Sequence, residues 1–102
     1  MTMQPRPMFE KIIEATCKYY DISEADLFAG KQDTDSVYRR KILVTLAREH
    51  TTMSYKGIAK RVGLKAHNWV STMIQEVECG RTVYRQMSDD LNNVMVIVTN
   101  LQ

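Results

Sequence analysis

The 102-residue sequence has few of the residues that build metal centres, disulfide frameworks or phosphate-binding loops. Cys17 and Cys79 stand alone, with no Cys-x-x-Cys pair and no histidine at metal-ligand spacing, so we expect reduced thiols and no metal site. The chain has two histidines, no paired acidic motif and no Gly-x-x-x-x-Gly-Lys-Ser/Thr loop. These absences predict no catalytic residues, no cofactor and a protein that is not an enzyme.

Long apolar runs are also missing. No segment approaches the roughly 18 consecutive apolar residues of a membrane span, and the first residues lack the apolar core of a signal peptide. We therefore expect a cytoplasmic, nucleoid-associated protein with no membrane partner. A hydrophobic content of 44% in 102 residues suffices for one compact core but not for two ordinary domains. Residues 1–102 are thus predicted to form a single helical domain.

The rest of the chain is organised around residues 54–78, which predict a helix-turn-helix. Ser54 can cap a first helix, and Gly63 occupies the position where that helix would stop by turning left-handed. Apolar residues recur at helical spacing on both sides of the turn. They are Ile58, Ala59 and Val62 before it, Leu64 within it, and Val70, Met73, Ile74 and Val77 after it.

Helical spacing also predicts the elements that flank this motif. Pro5 and Pro7 favour an extended arm over residues 1–7, followed by a helix over residues 7–20. Tyr19 and Tyr20, at the end of that helix, are predicted to be packing residues. Ser23 then caps a short helix that Gly30 ends.

A longer helix, capped by Thr34 or Asp35, should run to about His50, with Arg40, Lys41 and Arg48 pointing away from its buried face. Ser88 and the two acids after it predict the start of a last helix over residues 88–100. Its Met95-Val-Ile-Val-Thr run is rich in strand formers, but no second strand candidate exists for pairing. The fold class is therefore all-α, a compact bundle of about five to six helices with a central helix-turn-helix.

The outward side of the second helix of the motif, which we call the polar face, carries uncharged hydrogen-bonding side chains. Such groups both donate and accept hydrogen bonds, as reading base edges in a DNA major groove requires. A solvated face that merely lacks charge is the alternative. The face consists of Asn68, Ser71, Thr72 and Gln75, flanked by His67 and Trp69.

Basic residues are concentrated around the motif. Residues 36–67 hold eight basic residues and one acid, a formal charge of +7, whereas the rest of the chain holds six basic and eleven acidic residues, a formal charge of −5. Such a block is the expected electrostatic footprint of double-stranded DNA binding, although a solvated basic helix would look the same. The candidate phosphate contacts are Arg40, Lys41, Lys56, Lys60, Arg61 and Lys65.

The order of these pieces resembles the C-terminal DNA-binding domain of the bacterial replication initiator DnaA, a helical domain of the Trp-repressor-like kind. The resemblance covers roughly residues 9–100. It is carried by Tyr19-Tyr20-Asp21-Ile22, Asp26-Leu27, Leu46-Ala47-Arg48-Glu49, Thr51, Ser54 and Ile58. The family signature Gly-Gly-Arg-Asp-His-Ser/Thr-Thr-Val is similar to Gly63-Leu64-Lys65-Ala66-His67-Asn68-Trp69-Val70, which keeps the first Gly, the His and the Val.

The resemblance implies that His67 and Asn68 read major-groove bases and that Lys65 and Arg40 grip phosphate. Ala66 and Trp69 depart from the family's Asp and Thr, so the DNA site should differ from the family's usual box. The family's basic loop before the third helix is replaced here by Lys-Gln-Asp-Thr-Asp at residues 31–35. Carboxylates there oppose a minor-groove contact.

The leading hypothesis is a stand-alone module for sequence-specific binding of double-stranded DNA, in replication initiation or its regulation. The alternative is a protein-interaction module that keeps the fold, has lost specific DNA reading and uses Trp69 as its contact surface. Its partner would be a replication protein or a second copy of the chain. The two hypotheses differ in whether Asn68 or Trp69 dominates binding.

Overall fold

The computed structural model describes residues 7–28, 34–64 and 67–101. Within these ranges the chain forms six helices and no strand, which confirms the all-α fold. None of the helices in these ranges qualifies as a membrane span by length and hydropathy. The helices are α1 (Met8–Tyr20), α2 (Glu24–Leu27), α3 (Thr34–His50), α4 (Tyr55–Val62), α5 (Asn68–Gly80) and α6 (Arg85–Asn100).

The first two helices follow the local signals closely. Helix α1 ends at Asp21, whose backbone is left-handed with φ of 55°, a conformation that Asp tolerates better than most residues. The Ser23 hydroxyl then accepts a hydrogen bond from the Asp26 N–H at 3.0 Å and caps α2 as predicted. Helix α2 buries Leu27. The predicted stop at Gly30 lies outside the described residues.

Helix α3 is the central element, because it contacts all five of the other described helices. Every residue from Ile42 to Ala47 is buried, so this part of the helix is enclosed nearly all round. The prediction that Arg40 points away from the core is therefore wrong: Arg40 is only 4% exposed. Thr34 and Asp35 occupy the first turn of α3 and do not cap it.

The helix-turn-helix forms as the sequence predicts. The Ser54 hydroxyl accepts from the Gly57 N–H at 3.0 Å, and Gly63 turns left-handed with φ of 79° at the end of α4. The Leu64 N–H then bonds to the Ala59 carbonyl at 2.8 Å and closes the turn. Beyond it, α5 presents Val70, Met73 and Val77 to the core.

The start of the last helix differs from the prediction. Helix α6 begins at Arg85, after Tyr84, which provides no side-chain cap, so Ser88 lies inside the helix and does not cap it. Asp90 does not face solvent near a helix end but is buried, with 3% exposure. The run of Ser88 and two acids has the composition of a helix cap. The tyrosines that bind Asp90 come from distant parts of the chain, so the local sequence does not show that Asp90 is buried.

Candidate nucleic-acid interface

The outward side of α5 presents the polar face. Asn68, Thr72 and Gln75 are exposed, as is His67 before them, whereas Ser71 is half-buried at the edge. The Thr72 hydroxyl donates to the Asn68 carbonyl at 3.0 Å, which uses its proton within the helix. Among the described residues, nothing hydrogen-bonds to the side-chain amides of Asn68 and Gln75, so both keep a donor and an acceptor for a ligand.

Trp69 lies on the flank of α5 and is 57% exposed. Beside it is a hollow of about 550 Å³, bounded by α3, the end of α4 and α5. The hollow brings together residues that the sequence predicted for a binding surface. These are Arg40, Lys41, Trp69 and Thr72, with Val62, Leu64 and Met73 as apolar lining.

Two of the predicted phosphate contacts, Lys56 and Lys60, are exposed on α4. Arg61, their neighbour, is held within the fold. Its guanidinium donates to both carboxylate oxygens of Glu10, at 2.9 and 3.1 Å, and to Glu24 at 2.8 Å. The hydrogen bonds to Glu10, which have the largest effect, and the hydrogen bond to Glu24 raise the pKa of Arg61 above its ordinary value. Arg61 thus ties α4 to α1 and α2.

The other basic residues of the block are mostly held by contacts within the fold. Lys41 forms an ion pair with Glu76 of α5. Arg40 is buried at the hollow, and Lys65 lies outside the described residues. Arg48, also in the basic block, stacks over the Tyr55 ring at 4.7 Å and donates to the Met53 carbonyl at 2.9 Å. Much of the basic block is therefore engaged inside the molecule.

Sequence reasoning missed a cluster centred on the Asp90 carboxylate. It accepts hydrogen bonds from the hydroxyls of Tyr19 at 2.7 Å, Tyr20 at 3.2 Å and Tyr38 at 2.6 Å, and from the Gln86 amide at 2.7 Å. Burial, followed by the Asp90 charge, raises the pKa of Tyr20. Burial and the hydrogen bond to Asp90 raise the pKa of Tyr38.

This cluster joins α1, α3 and α6, so Tyr19 and Tyr20 do more than pack. Each tyrosine lies 52 to 71 positions from Asp90, a separation that leaves no local signal in the sequence.

Both cysteines are free. In the part of the chain that the structure describes, no group of three or more His, Cys, Asp or Glu side chains could hold a metal ion.

The fold and the site together define an all-α helix-turn-helix protein whose second motif helix presents an uncharged polar face. A family model described as the bacterial dnaA protein helix-turn-helix matches residues 9–77. The match covers more than half of the sequence, and the chain belongs to this family. The predicted resemblance is confirmed.

Curated relatives agree with this assignment. The chain is 33% identical over 88 residues to the chromosomal replication initiator protein DnaA of Latilactobacillus sakei, covering 83% of this chain and 20% of the relative. It is 27% identical over 89 residues to the DnaA protein of Neisseria meningitidis, covering 87% of this chain and 17% of the relative. The chain thus spans about a fifth of the length of these relatives.

Proposed function

We propose that this chain binds double-stranded DNA and reads its sequence by placing α5 in the major groove. The observation that carries the proposal is the polar face of α5, where the amides of Asn68 and Gln75 are exposed. A bidentate amide contact to adenine is a common way of reading a base, and α5 is the recognition helix of a helix-turn-helix. Family membership supports the same function.

The place of each predicted residue in the fold decides whether it takes a role in this interface. Asn68 and Gln75 contact base edges, with His67, Ser71 and Thr72 as further contacts along the same helix. Lys56 and Lys60 bind phosphates from α4, and we extend this role to Lys65. Arg40 and Arg61 are left out of the interface, because the first is buried and the second is held by two carboxylates.

The relatives are named chromosomal replication initiator proteins, so we propose a role in replication initiation or its regulation, with DNA in the cytoplasm as the site of action.

A second candidate function is favoured by one observation, the 57% exposure of Trp69 beside an apolar-lined hollow. An exposed tryptophan is a frequent anchor of protein interfaces. The partner would be a replication protein or a second copy of this chain.

Two substitutions distinguish these functions. A site is first selected from a random duplex library, and Asn68→Ala and Trp69→Ala are then measured on that site and on random duplex. We expect Asn68→Ala to lose roughly 1–3 kcal/mol on the selected site and little on random duplex, the usual value of a bidentate base contact. An Asn68→Ala protein with undiminished sequence preference would contradict base reading by α5. Loss of a protein complex in Trp69→Ala alone would support the second function.

A further inference from the structure

An acidic side chain lies at the edge of the proposed DNA surface. Glu76 follows Thr72 by one turn of α5, and both residues border the hollow beside Trp69. Its carboxylate forms an ion pair with the ammonium of Lys41, which extends from α3. The side chain of Glu76 is 49% exposed, whereas that of Lys41 is 24% exposed. The cation is thus paired, at the border of the polar face, with a carboxylate that is more exposed than itself.

We propose that Glu76 is an affinity-limiting residue, which keeps Lys41 from DNA phosphates and so lowers the affinity for every duplex, whatever its sequence. The inference rests on the proposed function, since it needs α5 to lie against DNA. Glu76 acts through Lys41 and is therefore a positioning residue.

Two effects of Glu76 oppose phosphate binding. The ion pair must be broken before Lys41 can displace a counterion from DNA, and the carboxylate itself repels the phosphate backbone. Neither effect depends on base sequence, because phosphate contacts carry no direct sequence information. Removing Glu76 should therefore strengthen binding to every duplex by the same factor. The base contacts of the polar face would then supply a smaller share of the total affinity.

The test is Glu76→Gln, which keeps the length of the side chain and its preference for helix. Binding to random duplex is measured by fluorescence anisotropy at several salt concentrations. One additional phosphate contact steepens the slope of log K against log salt by about 0.9, which corresponds to about tenfold tighter binding at 50 mM salt. In a Lys41→Ala background, Glu76→Gln should leave this slope unchanged.

Glu78→Gln is the matched control. Glu78 also lies on α5 and also pairs with a cation, Arg81, at 3.1 Å. Arg81 remains bound to Glu49 at 2.7 Å when Glu78 is neutralised, so no cation is released. The two variants lose the same charge from the same helix, and only Glu76→Gln should change the salt slope. Thermal unfolding of each variant verifies that the fold is kept.

Equal affinities and slopes for Glu76→Gln and Glu78→Gln would overturn the inference while leaving DNA binding intact. Failure of the wild type and both variants to bind any duplex at 50 mM salt would overturn the proposed function, and the inference with it. Tighter binding to random duplex with a steeper slope, abolished by Lys41→Ala, is the result that the structure predicts.

Discussion

At the scale of single residues, Asp90 shows how the fold accommodates a buried charge. An unpaired ion in a protein interior costs several kcal/mol, so a buried carboxylate needs donors around it. Here three tyrosine hydroxyls and an amide supply them, and none of these four donors is a cation. Hydrogen bonds to a charged group contribute about 1.5–3 kcal/mol each, enough for such a set to offset the desolvation.

Because the pKa values of tyrosines in this cluster are raised, we expect the protein to lose stability at alkaline pH. The pKa values of Tyr20 and Tyr38 are raised in the folded state above their ordinary value of 10.0. Above pH 10 the unfolded chain releases these protons and the folded protein keeps them, so unfolding becomes more favourable as pH rises. The stabilisation that these two tyrosines give the folded state is complete below pH 10.0 and is lost as pH rises toward their folded pKa values.

Urea unfolding between pH 8 and 11 measures this effect. Tyr38→Phe removes one of the three cluster tyrosines whose pKa is raised in the folded state, and it should flatten the fall in the free energy of unfolding above pH 10. Tyr84→Phe is the control, because Tyr84 is 65% exposed and is not bonded to Asp90. Equal pH dependence in Tyr38→Phe and the wild type would show that the cluster does not link stability to alkaline pH.

At the scale of elements, the position of α4 depends on Arg61. Its guanidinium reaches Glu10 on α1 and Glu24 on α2, and it also lies over the Phe28 ring at 5.5 Å. A bidentate arginine–carboxylate pair fixes both distance and orientation, unlike a flexible lysine contact. Because α4 leads into the turn before α5, this attachment orients the polar face relative to the body of the protein.

The neighbouring residues Lys60 and Arg61 should therefore respond differently to truncation. Arg61→Ala should lower the free energy of unfolding by about 1–2 kcal/mol, the value of charged hydrogen bonds reduced for partial exposure. Lys60→Ala should change stability by less than about 0.5 kcal/mol, as at most exposed positions, and reduce the salt slope of DNA binding by about 1. Thermal unfolding and salt titrations measure both quantities. A reduced slope without lost stability in Arg61→Ala would place Arg61 on phosphate.

Features with local sequence signals were predicted correctly, whereas contacts between residues that are distant in the sequence were not. The cap at Ser54 and the left-handed Gly63 are local, so the helix-turn-helix was predicted correctly. The polar face follows from helical spacing alone. Lys41 pairs with a carboxylate 35 positions away, and Arg61 pairs with two carboxylates, 37 and 51 positions away; nothing near either cation marks these partners. The role of Asp90 at the start of α6 was missed for the same reason, because its three tyrosine partners are distant in the sequence.

At the scale of the whole molecule, folding changes what the charge distribution means. The basic block of residues 36–67 suggested six phosphate contacts, but Lys41 and Arg61 are paired with carboxylates and Arg40 is buried. Lys56 and Lys60 are exposed, and we add Lys65 as a proposal. The molecule should therefore bind DNA through few phosphates, which makes its affinity depend more on base contacts.

A titration of the wild-type protein with duplex DNA at 50 to 200 mM salt measures how many phosphates the protein contacts and how far its affinity depends on base contacts. Three phosphate contacts predict a slope of log K against log salt of about −3, or a loss of roughly 40-fold across this range. Six contacts would give a slope of about −5 and a loss of more than about 1,000-fold. A slope near −3, with tighter binding to a selected site than to random duplex, is the predicted result. Salt-independent binding, no binding at 50 mM salt, or a slope near −5 would contradict it.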